Sequence, residues 1–365
     1  MTKRSNTALR LKTAVIIGII GLSVLFTVYS DEISGYAFDA IKLCAVSVVP
    51  SLFPFMVLSG IASIAVTDLP VKDSRKTGIA VSAVLGALCG FPVGASSVVN
   101  VYKNGTLYKK EAEYLCAVCN NTGPAFVIGV IGCSFWKSYQ LGVIFYICQL
   151  LSSAIVFILC RSIFGGYINS NRDNICNCIT QAEEVRHLPT LQNAVYNVSK
   201  LFCNAVANSV IGVIKICGYV IFFKVLCDTL RMFMPESHTS ELIYAMISAV
   251  LEFTTGAKLS AVIGGYVGIF LCGFTIGFSG LSVIAQSIDI LSSTELSPIP
   301  MIVLKAVIGI ISGASSVIAY KLFPVSDTVP VAQIFYETSI MTYISAAIII
   351  VSVVFFTARK IKDLR

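Results

Sequence analysis

The sequence predicts an all-α polytopic membrane protein, with about eight transmembrane helices and two re-entrant hairpins arranged as an inverted repeat. Three observations predict it. Of 365 residues, 56% are hydrophobic and only 12% charged, and the mean hydropathy of +0.86 excludes an ordinary soluble domain. Apolar runs near the length of about 20 residues that a helical span needs recur along the chain. Two further apolar runs are interrupted near the middle by related sequences, GFPVGASS at 90–97 and EFTTGAK at 252–258. Setting Phe91 on Phe253 also sets Gly94 and Ala95 on Gly256 and Ala257.

The elements follow in chain order. The first apolar run, 13–29, comes after Lys3, Arg4, Arg10 and Lys12. With no small-residue cleavage site evident before Asp31 and Glu32, it reads as a retained span rather than a signal peptide. Together with the outer loop after it, this span makes up 1–40. Residues 41–160 form a first repeat: a span at 41–66, a hairpin at 78–101, a span at 112–134 broken by NNTGP at 120–124, and a span at 139–160. A polar cytoplasmic linker occupies 161–202. Residues 203–322 repeat the order in inverted sense, with a span at 203–227, a hairpin at 241–262, a span at 263–288 broken by GFSGLS at 277–282, and a span at 299–322. Residues 323–365 hold an outer loop, a last span at 340–357 and a basic tail.

Charge sets the orientation. With the N-terminus inside, Asp31, Glu32 and Asp39 fall outside and the loop with Lys72, Arg75 and Lys76 falls inside. A hairpin at 78–101 returns Lys103, Lys109 and Lys110 to that same side, so both basic loops obey the positive-inside rule. A full span there would put one of them outside. The linker with Arg161, Arg172 and Arg186 is inside, 231–240 is outside, and the tail with Arg359, Lys360, Lys362 and Arg365 is inside, so both termini are cytoplasmic. The inner loop near Asp289 and Glu295 has no basic residue. The first hairpin thus dips in from the cytoplasm and the second from outside. The net charge of +7 is mostly terminal and loop lysine and arginine, which orients the chain in a bilayer and calls for no nucleic acid.

Non-helical backbone at membrane depth is tolerated where it faces protein or a water-filled cavity, and paired interruptions in inverted repeats mark the binding sites of secondary transporters. Exposed helix ends there can hold a charged or polar solute. The candidate contacts are Ser96, Asn120, Asn121, Thr122, Ser279, Ser282 and Gln286, donors and acceptors at the breaks; their other use is helix-to-helix bonding, worth about 0.6 kcal/mol apiece. Lys258 and Lys215 are candidate cations for an anionic cargo, and Glu252 orients the lysine or carries a coupling proton. The competing reading is a Glu252–Lys258 pair that stabilises the hairpin, or lysines that snorkel to an interface.

Thirteen cysteines lie mostly in apolar runs as small packing residues. Cys116 and Cys119 form CxxC, and Cys176 and Cys178 form CxC, but no histidine or second pair stands at zinc-like spacing. No metal and no cofactor are expected. GFSG also matches the Gly-x-Ser-Gly motif of intramembrane serine peptidases. An activated serine needs a base within reach, and the two histidines, His187 and His238, fall in polar loops on opposite faces, so the chain does not read as an enzyme.

PSLFPFMVLSGI at 50–61, GFPVGASS, CNNTGPAFVIG at 119–129, LEFTTGAK at 251–258 and GFSGLSVIAQ at 277–286 together resemble the YlbJ-type sporulation integral membrane proteins, within the wider group that carries nucleoside-recognition, or gate, domains. The resemblance covers most of 41–322 and makes the two repeats gate-like. It implies a part in moving dipicolinic acid out of the mother cell, across the outer forespore membrane, during endospore formation. The gate-domain group in turn looks like concentrative nucleoside transporters in its inverted plan. Dipicolinate, a small planar dianion, suits a site framed by helix ends and lysine. The alternatives are a transporter of a nucleoside or other organic solute, and a non-transporting sporulation scaffold. Lys258 favours the dianion over a neutral nucleoside, and the paired breaks favour transport over scaffolding. Proton or sodium coupling and a homo-oligomer stay open at this point.

Overall fold

The computed structural model describes residues 2–67, 74–170 and 191–323, and every regular element among them is helical. Helix α1 (Thr2–Val28) is followed after Tyr29 by α2 (Ser30–Leu43), which passes through a π-helical turn at Cys44–Val48 into α3 (Val49–Thr67). Asp31, Glu32 and Asp39, expected in a loop, therefore lie on a helix. The π turn precedes Pro50, which has no N–H to return to the carbonyl four residues back, and one extra residue in the turn absorbs the misfit. The Ser51 hydroxyl donates to the carbonyls of Ser47 and Val48 in the same turn at 2.6 and 3.1 Å.

Helices α4 (Ser74–Leu88) and α5 (Val93–Lys103) fold back on each other across a tight turn at 89–92. Gly90 has φ +78° and the Phe91–Pro92 peptide is cis. At the open end Gly78 makes room for Val101; near the turn Gly86 lies against Gly94. Next come α6 (Lys109–Val118), a non-helical stretch at 120–123, a π-helical segment at Ala125–Phe135 headed by Pro124, and α7 (Tyr139–Ser170). The order then recurs: α8 (Leu191–Met232), a folded-back pair α9 (His238–Leu251) and α10 (Phe253–Ile263), α11 (Gly265–Phe278) broken from α12 (Gly280–Leu291), and α13 (Pro298–Leu322). The second break falls where Ser279 and Gly280 have φ of 73° and 72°.

Packing pairs the two halves: α3 lies on α8, and α13 lies on both α7 and α11. The ends of α13, 25 residues long and so about 37 Å apart, define two poles. Near its start, Ser297 N–H donates to Glu113 at 3.1 Å, and Glu111 pairs with Arg75 at 2.8 Å, which gathers the starts of α4 and α6 there. Near its end, Tyr320 packs edge-on against Tyr266 at 6.0 Å and the Lys321 ammonium sits 5.1 Å over the same ring, which gathers the end of α10 and the start of α11. The open ends of the two helical pairs thus lie at opposite poles.

Five helical stretches among the described residues are long and apolar enough to cross a membrane: Ser30–Leu58, Tyr139–Ile163, Phe202–Met232, Gly265–Leu291 and Pro298–Leu322. Lys12–Val28 and Ala125–Phe135 are apolar but shorter. The span expected at 112–134 carries its expected break, with α6 before it and the π-helical segment at Ala125–Phe135 after it. Residues 191–202, expected as linker, are the first turns of α8. The span at 340–357 and the residues Lys72, Arg172, Cys176, Cys178, Arg186 and His187 lie outside the described residues. Ile158, Ile214, Ile310 and Ile318 stand exposed on α7, α8 and α13, a surface that suits hydrocarbon rather than water. The chain is a polytopic membrane protein.

Candidate functional site

Each helical pair presses its turn onto the broken helix of its own half. A Cβ at Gly90 would stand 2.5 Å from the Gly123 nitrogen, and one at Gly86 or Gly94 would collide with the Cys119 carbonyl oxygen. In the second half a Cβ at Gly280 would stand 2.9 Å from the Phe253 nitrogen. Glycine is needed where backbone meets backbone this closely. The two turns also meet each other. Phe91 and Phe253 stack edge-to-face with centroids 5.5 Å apart, and Phe126 leans on Phe253 at 5.1 Å. The pair of phenylalanines that the two related sequences align is therefore a contact at the centre of the molecule.

The first break is held by buried hydrogen bonds. Asn120 Nδ2 donates to Ser287 Oγ on α12 at 2.8 Å. Asn121 Nδ2 donates to the Val118 carbonyl at 2.9 Å and its Oδ1 accepts from Ser153 on α7 at 2.7 Å. The Thr122 hydroxyl donates to the Ile276 carbonyl at 3.4 Å, and Gln149 Nε2 donates to the Thr122 carbonyl at 3.4 Å. These three predicted contacts spend most of their bonds on protein, although Asn120 Oδ1 is buried with no partner. At the second break the Ser279 hydroxyl donates back to the Ile276 carbonyl at 3.3 Å.

Glu252 is fully buried at the turn between α9 and α10. Its two carboxylate oxygens accept from the backbone N–H groups of Thr254 and Thr255, at 2.9 and 2.6 Å. The carboxylate caps α10, where the helix dipole favours a negative charge. Lys258 is elsewhere: its side chain is exposed on α10, and among the described residues it forms no ion pair with Glu252. The pairing expected of Lys258 is not formed among the described residues, and Lys258 does not line the cavity between α3, α8 and α12. A turn and a half of helix separates the two residues, and the capping geometry points the carboxylate back along the helix start.

Three of the predicted residues do converge on one cavity of about 320 Å³, between α3, the first turn, α8 and α12. Ser96, Lys215 and Gln286 line it, with Asn208 and Tyr219 from α8 and Asp289 from α12. Lys215 pairs with Asp289 at 2.8 Å, both side chains well exposed at 58% and 42%. Asp289, expected in an inner loop, is thus on a helix with its own cation. Inward, a narrow cleft continues from Gln286 to Ser282, Glu252, Phe91 and Phe253. Ser282 is fully buried and its hydroxyl has no partner; Gln286 is 4% exposed and neither its amide nitrogen nor its oxygen has one.

Lys305 is the residue that sequence reasoning missed. It lies on α13, 1% exposed, and its ammonium donates to the Asn120 carbonyl at 2.8 Å. The signal was a charge set inside the apolar run 299–322, away from the end where Lys321 stands, because intramembrane charge is costly enough to need a purpose.

Over 311 residues, three-quarters of this chain and 74% of the relative, the sequence is 23% identical to the sporulation integral membrane protein YlbJ of Bacillus subtilis (strain 168). The match supports a YlbJ-type family assignment. No family model matches the chain, and no solved structure matches it.

Proposed function

We propose that this protein carries a small polar organic solute across the membrane, dipicolinate in the first instance, between the mother cell and the forespore. The observation that carries the reading is the Gln286 amide. It is buried where the cavity narrows, with donor and acceptor both unpaired by the protein, and an unsatisfied buried group typically costs 1–3 kcal/mol. A cargo with carboxylate or ring-nitrogen acceptors and a protonated or hydroxyl donor offsets that cost. The cavity is at the small end of ligand pockets, about 300–1,000 Å³, and suits a single-ring solute. Lys215 at the mouth offers an ammonium that an incoming carboxylate can share with Asp289. The opposed open ends of the two helical pairs fit an inverted repeat, in which the halves open in turn around a fixed site. On this reading Ser279 holds backbone and attacks nothing, so the chain is no enzyme.

A second reading has one observation in its favour. Lys258 does not reach the cavity, and Lys215 is already neutralised by Asp289, so a neutral solute such as a nucleoside is also accommodated. Uptake of labelled dipicolinate into proteoliposomes, with uridine as the paired cargo, separates the two. We expect saturable dipicolinate uptake that falls tenfold or more in Gln286→Leu, with the melting temperature unchanged or raised because the unpaired amide is gone. Uridine uptake alone selects the second reading, and movement of neither leaves a scaffold.

A further inference from the structure

Lys305 has a place in the core that the transport reading leaves unused. Its side chain is buried on α13 and its ammonium donates to the Asn120 carbonyl at 2.8 Å. Among the described residues no carboxylate is paired with it. An ammonium removed from water without a counter-charge is costly, so neutral oxygens and dipoles have to compensate, and the first break supplies both. Helix α6 ends at Val118, and the carbonyl end of a helix carries the negative end of its dipole. Asn120 stands just beyond that end, and its side-chain Oδ1 is buried with no partner. Unwound carbonyls and the C-terminal ends of half-helices are the groups that coordinate small coupling cations in transporters with broken helices. Here an ammonium on a flexible four-carbon stem already stands at such a place.

We infer that Lys305 is the chain's own cation for the first break, standing where a free monovalent cation would otherwise bind, so that the break holds its shape without sodium. The effect reaches the other half through Asn120, whose amide donates to Ser287 Oγ on α12 at 2.8 Å. Ammonium, first break and second broken helix form one chain of bonds.

The transport arm of the test rests on the function proposed above, and a melting arm does not. The full-length protein in detergent is melted in sodium, potassium and N-methylglucamine chloride at equal ionic strength. The wild type is expected to melt at the same temperature in all three. Lys305→Ala, which leaves space and free oxygens, is expected to melt lower in N-methylglucamine and to recover in part when sodium or methylammonium is added. Lys305→Met fills the space with an apolar stem and recovers with neither. A wild type that sodium stabilises overturns the inference, as does a Lys305→Ala protein that no small cation restores. Should Lys305→Ala fail to fold, the wild-type comparison across the three salts decides alone. In proteoliposomes, replacing sodium is expected to leave wild-type uptake unchanged. If the wild type moves neither dipicolinate nor uridine, the proposed function fails while the melting result stands.

Discussion

Ser279 holds a left-handed backbone at φ 73°, and its hydroxyl makes only a long 3.3 Å bond to the Ile276 carbonyl. A residue with a Cβ pays roughly 1 kcal/mol for that conformation, and glycine does not. Ser279→Gly is therefore expected to raise the melting temperature slightly, and Ser279→Val to lower it, since a β-branched residue at positive φ is strained; a thermal scan of the two proteins checks the order. Glu252 and Lys258 divide in the same way. Removing the cap with Glu252→Ala leaves two buried N–H groups without acceptors, at about 1–2 kcal/mol, and should visibly lower the melting temperature. Lys258→Met, on an exposed face, should leave melting and uptake near wild type. A tenfold fall in dipicolinate uptake on Lys258→Met would return that lysine to the cargo.

The helical pairs and broken helices depend on backbone approach more than on side-chain chemistry. A methyl at Gly86 or Gly94 collides with the Cys119 carbonyl, which belongs to a different helix and cannot swing aside as a side chain could. Gly94→Ala should therefore abolish folded protein, as read by size-exclusion chromatography of the detergent extract. By contrast, Gly18→Ala on α1 meets nothing within 4 Å and should be neutral. These elements were legible in the sequence because their signals are local. Glycine, proline and small polar residues interrupt an apolar run, and the interruptions at 90–97 and 252–258 align so that Phe91 and Phe253 correspond. What was not legible depends on which way a side chain points. Lys258 and Lys305 are both lone lysines in apolar surroundings, yet one is exposed and the other sealed against Asn120. Helix position alone distinguishes them, and periodicity is weak where nearly every neighbour is apolar. The Lys215–Asp289 pair spans 74 positions, a separation at which no local pattern operates.

The two poles of the molecule turn the arrangement of the halves into a statement about sides of a membrane. Arg75 and Glu111 bind each other through two contacts of 2.9 and 2.8 Å, so the start of α4 and the start of α6 lie at one level and α4 with α5 enters and leaves from it. The end of α10 lies instead beside Tyr266, Tyr320 and Lys321 at the far end of α13, a helix of 25 residues, long enough at about 37 Å to cross a hydrocarbon core roughly 30 Å thick. A bilayer normal to α13 therefore puts the two pairs' open ends in different compartments. Single cysteines introduced at Lys76, Asn104 and His238, all exposed positions, in an otherwise cysteine-free protein should react with a membrane-impermeant maleimide accordingly. Lys76→Cys and Asn104→Cys are expected to label from one side, which the basic residues Lys103, Lys109 and Lys110 make the cytoplasmic one, and His238→Cys from the other. Labelling of all three from one side would place both pairs' open ends in one compartment and overturn the inverted-repeat reading, and with it the proposed alternating use of the two halves.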